Sequence, residues 1–322
     1  MTIDATTIRT AVASISDDYE LHEEVRRTHR HLVYEVTIDG RRAVCKHVLE
    51  DADREPLARE TMILKGVERS TDLSLPTVLG AGDGFAVFSW VAGEPFHDDV
   101  PQSRQETRLR TLGRALAHLH NSTADWFDGF GSLTTDSDDR LQVENPSPWG
   151  ECWEALVDDW LDRLAGTPHE DLRDAICEAT RRATDRGWFD DVEPVLTHAD
   201  AGPANVQFTD TDEALLVDWE GAMAFPGEYD IARACTDFFD LPHAVASGTL
   251  REALFDGYRD IASLPPRSHR RRCLYRATLT AKFLPGGVRA ADAGHIDEDP
   301  AEFREALRTY AWRQLEAVNA EF

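Results

Sequence analysis

The stretch between residues 194 and 220 restricts the fold of this chain more than any other part of the sequence. It reads P-V-L-T-H-A-D-A-G-P-A-N-V-Q-F, then T-D-T-D-E, then A-L-L-V-D-W-E. Short apolar runs separated by Gly, Pro and acidic residues predict brief strands joined by tight loops. Asp200, Asn205 and Asp218 then lie at strand ends, where a loop and a hairpin gather three oxygen-bearing side chains.

Those three side chains carry the groups that phosphoryl transfer requires. The reaction depends on an oriented nucleophile and on metal ions that neutralise charge. Mg²⁺ prefers oxygen ligands and takes one or two carboxylates together with substrate phosphates, so Asn205 and Asp218 are candidate ligands. Asp200 is then free to receive or align the proton of an acceptor hydroxyl. The alternative is that these are ordinary loop acids in an acid-rich chain.

The N-terminal half contains the partners that such a site needs. Residues 31–48 read as two strands around an Asp-Gly pair at 39–40, the strongest short-range signal for a hairpin. Lys46 therefore lies on a strand. The amphipathic segment 54–68 predicts a helix that carries Glu60. A strand lysine and a helix glutamate form the pair that holds nucleotide phosphates in kinase-type lobes.

Composition supports the role of Lys46. The chain has 34 basic residues, of which only three are lysines. A compact ammonium contacts phosphate oxygens as a point charge, where the wider guanidinium of arginine would not fit. Two alternatives remain open: Lys46 is an edge-strand lysine with its charge in water, and Glu55 or Glu68 takes the place of Glu60.

These segments together resemble the aminoglycoside phosphotransferase family, a small-molecule branch of the protein-kinase-like fold that also includes choline and homoserine kinase relatives. The resemblance covers about residues 20–285. It implies an α+β fold with two lobes, a small antiparallel sheet with one helix followed by a larger, mostly helical lobe. The length of the chain suits this division, which we expect at residues 1–90 for nucleotide binding and 93–322 for catalysis and substrate binding.

The resemblance also implies roles for individual residues. Asp200 matches the catalytic aspartate, Asn205 the amide that binds the second metal ion, and Asp218 the aspartate that opens the metal-binding triplet. The segment F-S-W-V-A-G-E-P-F matches the hinge, which makes the carbonyl of Ser89 and the amide of Val91 the adenine contacts. The implied cofactors are ATP, with GTP as an alternative donor, and Mg²⁺.

Two further residues are expected to support the site rather than to take part in the chemistry. Asp230, in the run F-P-G-E-Y-D-I-A-R-A, resembles the buried acid that fastens the catalytic loop from the start of a helix. His198 is expected to orient the backbone of that loop. An acid–base role for His198 is the alternative.

The chain departs from the family pattern at three places. The loop expected to cover the nucleotide, near residues 25–32, contains no glycine, so side chains rather than bare backbone must cover the phosphates. Ala199 stands where family members often have a glycine. Trp219 stands where protein kinases carry phenylalanine, which argues against a large swing of the triplet.

The substrate is expected to be a small molecule with a hydroxyl group. Trp149, Trp153 and Trp160, with Asp158 and Asp159, are candidates to line its pocket, although aromatic residues at helical spacing are more often part of a core. A metabolic hydroxyl compound is preferred over an antibiotic. Two other functions stay open: a catalytically weak nucleotide-binding regulator of the same fold, and a metal-dependent hydrolase.

Charge and hydropathy limit the setting in which the chain works. The net charge is −26 and the acid is spread along the whole sequence, with arginine nearly replacing lysine, a combination typical of a salt-adapted, halophilic cytoplasm. No basic stripe is present to bind nucleic acid. No apolar segment approaches membrane-spanning length, so we expect a soluble cytoplasmic enzyme without a membrane partner.

Five scattered cysteines predict reduced thiols rather than a disulfide frame or zinc site. Oligomeric state is not predicted.

Overall fold

Five antiparallel strands form the sheet of the N-terminal lobe, in the order β1-β2-β3-β5-β4. The computed structural model describes residues 4–28, 30–71, 73–138, 140–241, 244–292 and 299–322. The strands are β1 (Tyr19–Arg27), β2 (His31–Ile38), β3 (Arg41–Val48), β4 (Val78–Gly82) and β5 (Phe85–Ser89). The predicted hairpin between β2 and β3 is confirmed, since Asp39 and Gly40 both have the positive φ that its turn requires.

A helix packs against each side of this sheet. The predicted helix α2 (Arg54–Ser70) buries Ile63, Leu64 and Val67 against the side that faces the C-terminal lobe. A second helix, α1 (Ala5–Ala13), lies on the other side and is not foreseen from the sequence. Its Ile8 and Val12 pack with apolar side chains of β2 and β3. The sheet is thus covered on both sides.

The C-terminal lobe is mostly helical. Its helices are α3 (Gln102–Ser122), α4 (Trp149–Leu161), α5 (Glu170–Asp185), α6 (Glu228–Cys235), α7 (Arg251–Arg259), α8 (Ser268–Asp292) and α9 (Pro300–Asn319). The apolar face of α3 is buried, with Leu109, Leu112, Leu116 and Leu119 in the core that continues towards the N-terminal lobe. The two-lobed, protein-kinase-like α+β fold is therefore confirmed.

Three small two-stranded sheets complete the C-terminal lobe. They pair β6 (Leu133–Thr135) with β7 (Leu141–Val143), β8 (Pro194–Thr197) with β11 (Met223–Pro226), and β9 (Val206–Phe208) with β10 (Ala214–Leu216). The last two sheets contain the strands of the segment 194–220, together with β11. The loop between β8 and β9 and the turn after β10 therefore lie side by side.

The aromatic residues of α4 divide between core and surface. Trp149 and Trp153 are fully buried and pack on Tyr275 of α8, so they belong to the core. Trp160 is only partly buried and contacts Lys282. The five cysteines are free thiols. No helix in the described part of the chain is both long and apolar enough to cross a membrane.

Candidate active site

Lys46 lies at the centre of a cluster of three carboxylates. Its Nζ donates to Glu60 Oε2 at 2.9 Å and to Asp218 Oδ1 at 2.6 Å. Glu220 Oε2 lies 3.6 Å from the same nitrogen. The other oxygen of Glu60 accepts a hydrogen bond from the backbone N–H of Trp219 at 3.1 Å. Helix α2 is thereby tied to the D-W-E segment across the two lobes.

Burial and Lys46 together set the charges in this cluster. Burial opposes the ammonium, but the three carboxylates outweigh it and raise the pKa of Lys46. Burial also opposes the charged form of Asp218, which favours a higher pKa. The nearby ammonium of Lys46 outweighs burial and lowers the pKa of that carboxyl below its ordinary value. Burial raises the pKa of Glu220 in spite of Lys46 and Arg30. Lys46 therefore stays charged and Asp218 stays ionised, the states that phosphate and metal binding need.

Asp200 and Asn205 form a second pair in the loop between β8 and β9. The Nδ2 of Asn205 donates to Asp200 Oδ2 at 2.8 Å and to the Asp200 carbonyl at 3.0 Å. The Oδ1 of Asn205 makes no hydrogen bond with the described residues. The amide is thus held by its nitrogen, and its oxygen is left to accept an external donor or a cation.

Backbone bonds join the two pairs. The N–H of Val217 donates to the Asn205 carbonyl at 3.0 Å, and His198 Nε2 donates to the Val217 carbonyl at 3.0 Å. Directly after Val217 the chain turns, because Asp218 has a left-handed φ of 67°. The structure therefore places the four residues that the sequence singled out as two bonded pairs, Asp200 with Asn205 and Lys46 with Asp218, linked through one backbone segment.

Asp230 holds the loop between β8 and β9 from the first turn of α6. Its two oxygens accept the backbone N–H groups of His198 at 2.9 Å and Ala199 at 2.7 Å. The carboxylate is fully buried, and His120 Nε2 of α3 lies 3.0 Å from it. The Nδ1 of His120 in turn contacts the Tyr258 hydroxyl at 2.9 Å. Asp230 is thus bound on both sides, and both of its oxygens are occupied by donors.

An apolar cavity of about 360 Å³ lies between the sheet and the hinge. The backbone N–H of Val91 makes no hydrogen bond with the described residues, which leaves it able to donate to a ligand. The neighbouring Ser89 is fixed by its hydroxyl, which accepts from the backbone N–H of Thr77 at 2.9 Å. The cavity walls include Val33, Val44, Lys46, Glu60, Phe88, Ser89, Trp90, Val91, Val217 and Asp218.

The glycine-free turn between β1 and β2 is built on a threonine. The Oγ1 of Thr28 accepts the backbone N–H groups of Arg30 at 3.1 Å and His31 at 2.9 Å. Arg30 Nε donates to Asp53 Oδ1 at 2.6 Å, and its NH1 pairs with Glu220. The turn, whose residue 29 lies outside the described part of the chain, therefore reaches the D-W-E segment through a guanidinium instead of bare backbone.

Two residues that contact the site were not singled out from the sequence. Arg233 of α6 donates to Asp200 Oδ1 at 2.5 Å and lies 3.0 Å from Asp237 Oδ2. Glu220 contacts both Lys46 and Arg30. A signal for each was present, because Arg233 follows Asp230 by three residues and so lies on the same side of a helix. Glu220 closes the D-W-E motif itself.

The carboxylates around Lys46 are donors of the kind that Mg²⁺ prefers. Glu60, Asp218 and Glu220 each offer a carboxylate oxygen, and these atoms lie within 4.8 Å of one another. Hard oxygen donors of this kind suit Mg²⁺, which needs only one or two carboxylates beside substrate phosphates. Of the two ligands predicted from the sequence, Asp218 belongs to this group, and Asn205 lies on the neighbouring loop with its Oδ1 unoccupied by any described donor.

Comparison with known proteins identifies the family. The model of the phosphotransferase enzyme family matches residues 23–267, about three quarters of the chain. The chain belongs to this family. All the site residues predicted from the sequence of this phosphotransferase lie within the matched segment. A search of curated protein sequences gives no significant match.

Solved structures of similar fold span nearly the whole of this phosphotransferase. A putative fructosamine-3-kinase from Thermobifida fusca has a TM-score of 0.64 at 21% identity, covering 97% of this chain and 98% of that one. The aminoglycoside phosphotransferase APH(4)-Ia has a TM-score of 0.68 at 16% identity, covering 97% and 99%. A ternary complex of streptomycin, ATP and APH(2")-IIa has a TM-score of 0.63 at 15% identity, covering 98% and 97%. These likenesses show a shared fold.

Proposed function

We propose that this phosphotransferase moves the γ-phosphoryl group of ATP, or of GTP, to a hydroxyl group of a small molecule in the presence of Mg²⁺. One observation carries the proposal: the Asp200–Asn205 pair and the Lys46–Asp218 pair are joined through Val217 beside the cavity at the hinge. The structural neighbour solved as an ATP complex supports the choice of nucleotide.

The nucleotide would lie in the cavity with its base against the hinge. The carbonyl of Ser89 and the free N–H of Val91 would contact the adenine, and apolar side chains such as Val44 would cover its faces. Lys46, oriented by Glu60, would contact the phosphates. Asp218 and Asn205 would hold Mg²⁺, which supplies positive charge to the phosphate oxygens during transfer. His198 and Asp230 would keep the catalytic loop in place.

Asp200 would align the acceptor. As the acceptor oxygen bonds to the γ-phosphorus, the bond from that phosphorus to the β,γ-bridging oxygen breaks, ADP leaves, and the hydroxyl proton passes to Asp200. Arg233 and Asn205 fix the two oxygens of this carboxylate. A loose transition state needs little proton removal until late, so the orientation of the hydroxyl is the main requirement.

The alternative of a catalytically weak regulator has one observation in its favour. The turn between β1 and β2 lacks glycine, and Arg30 occupies the approach to Glu220. This arrangement lowers access of phosphates to the turn unless the guanidinium itself binds them. The intact Asp200–Asn205 pair has no evident purpose in a module that only binds nucleotide, and it favours turnover.

The acidic composition supports a finer proposal about the setting, namely a salt-rich cytoplasm. Carboxyl groups outnumber basic groups by 60 to 34. At molar salt the screening length falls to about 3 Å, so repulsion among such groups nearly vanishes.

ADP release with a panel of hydroxyl compounds tests the function. With Asp200→Asn we expect kcat to fall by about 10²–10³, because a charged group that orients the reacting hydroxyl is lost. Lys46→Met should mainly raise the KM for ATP. Asp210→Asn is the matched control, since this exposed aspartate lies outside the site and its variant should behave as wild type.

Two outcomes would replace the proposal. Binding of ATP without turnover of any acceptor, in wild type and Asp200→Asn alike, favours the regulator. Release of phosphate from an ester substrate with no nucleotide present favours a metal-dependent hydrolase, and in that case Lys46→Met should leave the rate unchanged.

A further inference from the structure

Lys282 is a partly buried lysine without a carboxylate partner. It lies on α8, and its ammonium stands 3.7 Å from the centre of the Trp160 ring. No hydrogen bond or ion pair joins it to any residue in the described part of the chain. The chain has 60 acidic residues and only three lysines. A lysine left unpaired in so acidic a protein points to a partner that the described residues do not supply.

Four buried arginines of the C-terminal lobe differ from Lys282. Each of them has a carboxylate within ion-pair distance, as expected because an unpaired buried charge is costly. These are Arg108 with Asp212, Arg233 with Asp200 and Asp237, Arg271 with Glu228 and Asp191, and Arg276 with Asp240. Arg272 of α8 has no ion pair among the described residues, but it donates to the Ser268 hydroxyl, whereas Lys282 has neither kind of partner there.

Lys282 lies on the Asp200 side of the active site. Its neighbour Phe283 packs on Arg233, whose Cζ is 4.8 Å from the ring centre, and Arg233 donates to Asp200. The walls of the hinge cavity come instead from the sheet, α2, the hinge and residues 207–218. Helix α8 therefore reaches Asp200 through Phe283 and Arg233, and Lys282 is not among the residues that line the nucleotide cavity.

Charged groups of both signs act on Lys282. Burial lowers the pKa of Lys282 to about 8, Arg233 and Arg163 also lower it, and Asp200 and Asp159 oppose them. No carboxylate in the described part of the chain forms an ion pair with this ammonium. An anion would be attracted there, whereas a second cation would be repelled.

We propose that Lys282 binds an anionic group of the acceptor, which makes the substrate a hydroxy acid: a small molecule with a hydroxyl for Asp200 and a carboxylate for Lys282. This inference rests on the proposed phosphotransferase function and narrows its substrate class. The ring of Trp160 orients the ammonium from one side and shields it from water. A cationic amine, such as an amino sugar, would meet the ammonium of Lys282 as a like charge.

A kinetic test compares acceptors that differ only in charge. Sets of acid, neutral and amine compounds on three-, four- and six-carbon hydroxyl backbones are assayed for ADP release at one fixed KCl concentration. We expect kcat/KM to be highest for the acid member. In Lys282→Gln the preference for acid over neutral member should fall at least about 10-fold, the loss of one charge-assisted contact. Lys282→Arg should keep the preference, and Lys65→Gln, an exposed lysine of α2, is the matched control.

A binding test needs no turnover. Because the chain has only three lysines, protein labelled with ¹³C and ¹⁵N at lysine gives three side-chain signals, which Lys282→Gln and Lys65→Gln assign. At pH 6.5 an acid compound should shift the Lys282 signal saturably, while Mg²⁺–ATP should shift that of Lys46.

The outcomes separate the two proposals. If Mg²⁺–ATP leaves Lys46 unmoved and no acceptor is turned over, the phosphotransferase function fails while the Lys282 signal still reports on the anion. If no acid compound shifts Lys282, or if the neutral or amine member is preferred and Lys282→Gln keeps that order, the assignment of a hydroxy acid is overturned.

Discussion

At the scale of single residues, one arginine contacts two carboxylates. Arg233 pairs with both Asp200 and Asp237, and Asp237 is almost completely buried. A Cβ at Gly202 would lie 2.5 Å from Asp237 Oδ2, so the loop packs directly on this side chain. Burial raises the pKa of Asp237 to about 6, with Arg233 opposing the increase and Asp200 adding to it. The acid that supports Arg233 is therefore costly to ionise.

This cost predicts a pH dependence of stability. The carboxyl binds its proton more tightly folded than unfolded, so its contribution to the free energy of unfolding falls as pH rises from about 4 to about 6. Asp237→Asn removes that dependence. We expect the stability of Asp237→Asn relative to wild type to increase by about 1–2 kcal/mol between pH 5 and pH 8, measured by urea unfolding in KCl. Parallel pH profiles of the two proteins would contradict the prediction, and Asp210→Asn should give a profile like that of wild type.

At the scale of elements, α3 and α7 cross with backbone against backbone. A Cβ on Gly257 of α7 would overlap the Arg110 carbonyl oxygen, and one on Gly113 of α3 would overlap the Leu254 carbonyl oxygen. This close approach brings His120 of α3 within hydrogen-bond distance of Tyr258 of α7. His120 also contacts Asp230, the acid that holds the loop between β8 and β9. The spacing of these two helices therefore helps to fix the position of that loop.

The crossing predicts a strong effect of one methyl group. Gly257→Ala should lower the free energy of unfolding by about 1–3 kcal/mol, because a backbone obstacle cannot rotate away. Gly248→Ala is the matched control: it is exposed, lies just before α7, and a Cβ there meets nothing within 4 Å. Denaturant unfolding of both variants measures the difference. Equal stabilities would mean that the two helices move apart at no cost.

At the scale of the whole molecule, the net charge of −26 dominates. Ion pairs at the surface compensate only part of it, for example Asp260 with Arg110 and Arg114, and such exposed pairs contribute little to stability. Repulsion among the remaining carboxylates destabilises the compact state at low ionic strength.

The charge predicts stabilisation by salt. The melting temperature should rise by about 5–10 °C between 50 mM and 2 M KCl at pH 7.5, because screening removes several kcal/mol of repulsion. Sucrose at equal osmolality is the control for non-ionic effects and should stabilise less. A melting temperature that is flat or falling with KCl would show that the acidic surface is not an adaptation to salt.

The sequence alone determined the features that depend on neighbouring residues. The Asp39-Gly40 turn, Lys46 on a strand, Glu60 on α2 and the buried face of α3 all follow from local spacing, because hairpin and helix signals act over a few residues. The two-lobed fold was implied by the family resemblance that these segments carry. The roles assigned to Asp200, Asn205 and Asp218 stay predictions that await the assays above.

Only the tertiary structure decided which distant side chains meet. Arg30 contacts Glu220 across 190 positions, Arg233 contacts Asp200 across 33, and Lys282 of α8 lies beside both Arg233 and Trp160. The position of helix α1 was also decided by tertiary packing, because its apolar face is buried against the sheet. Local patterns place a residue on a strand or a helix, but the direction of a charged side chain depends on how whole elements pack.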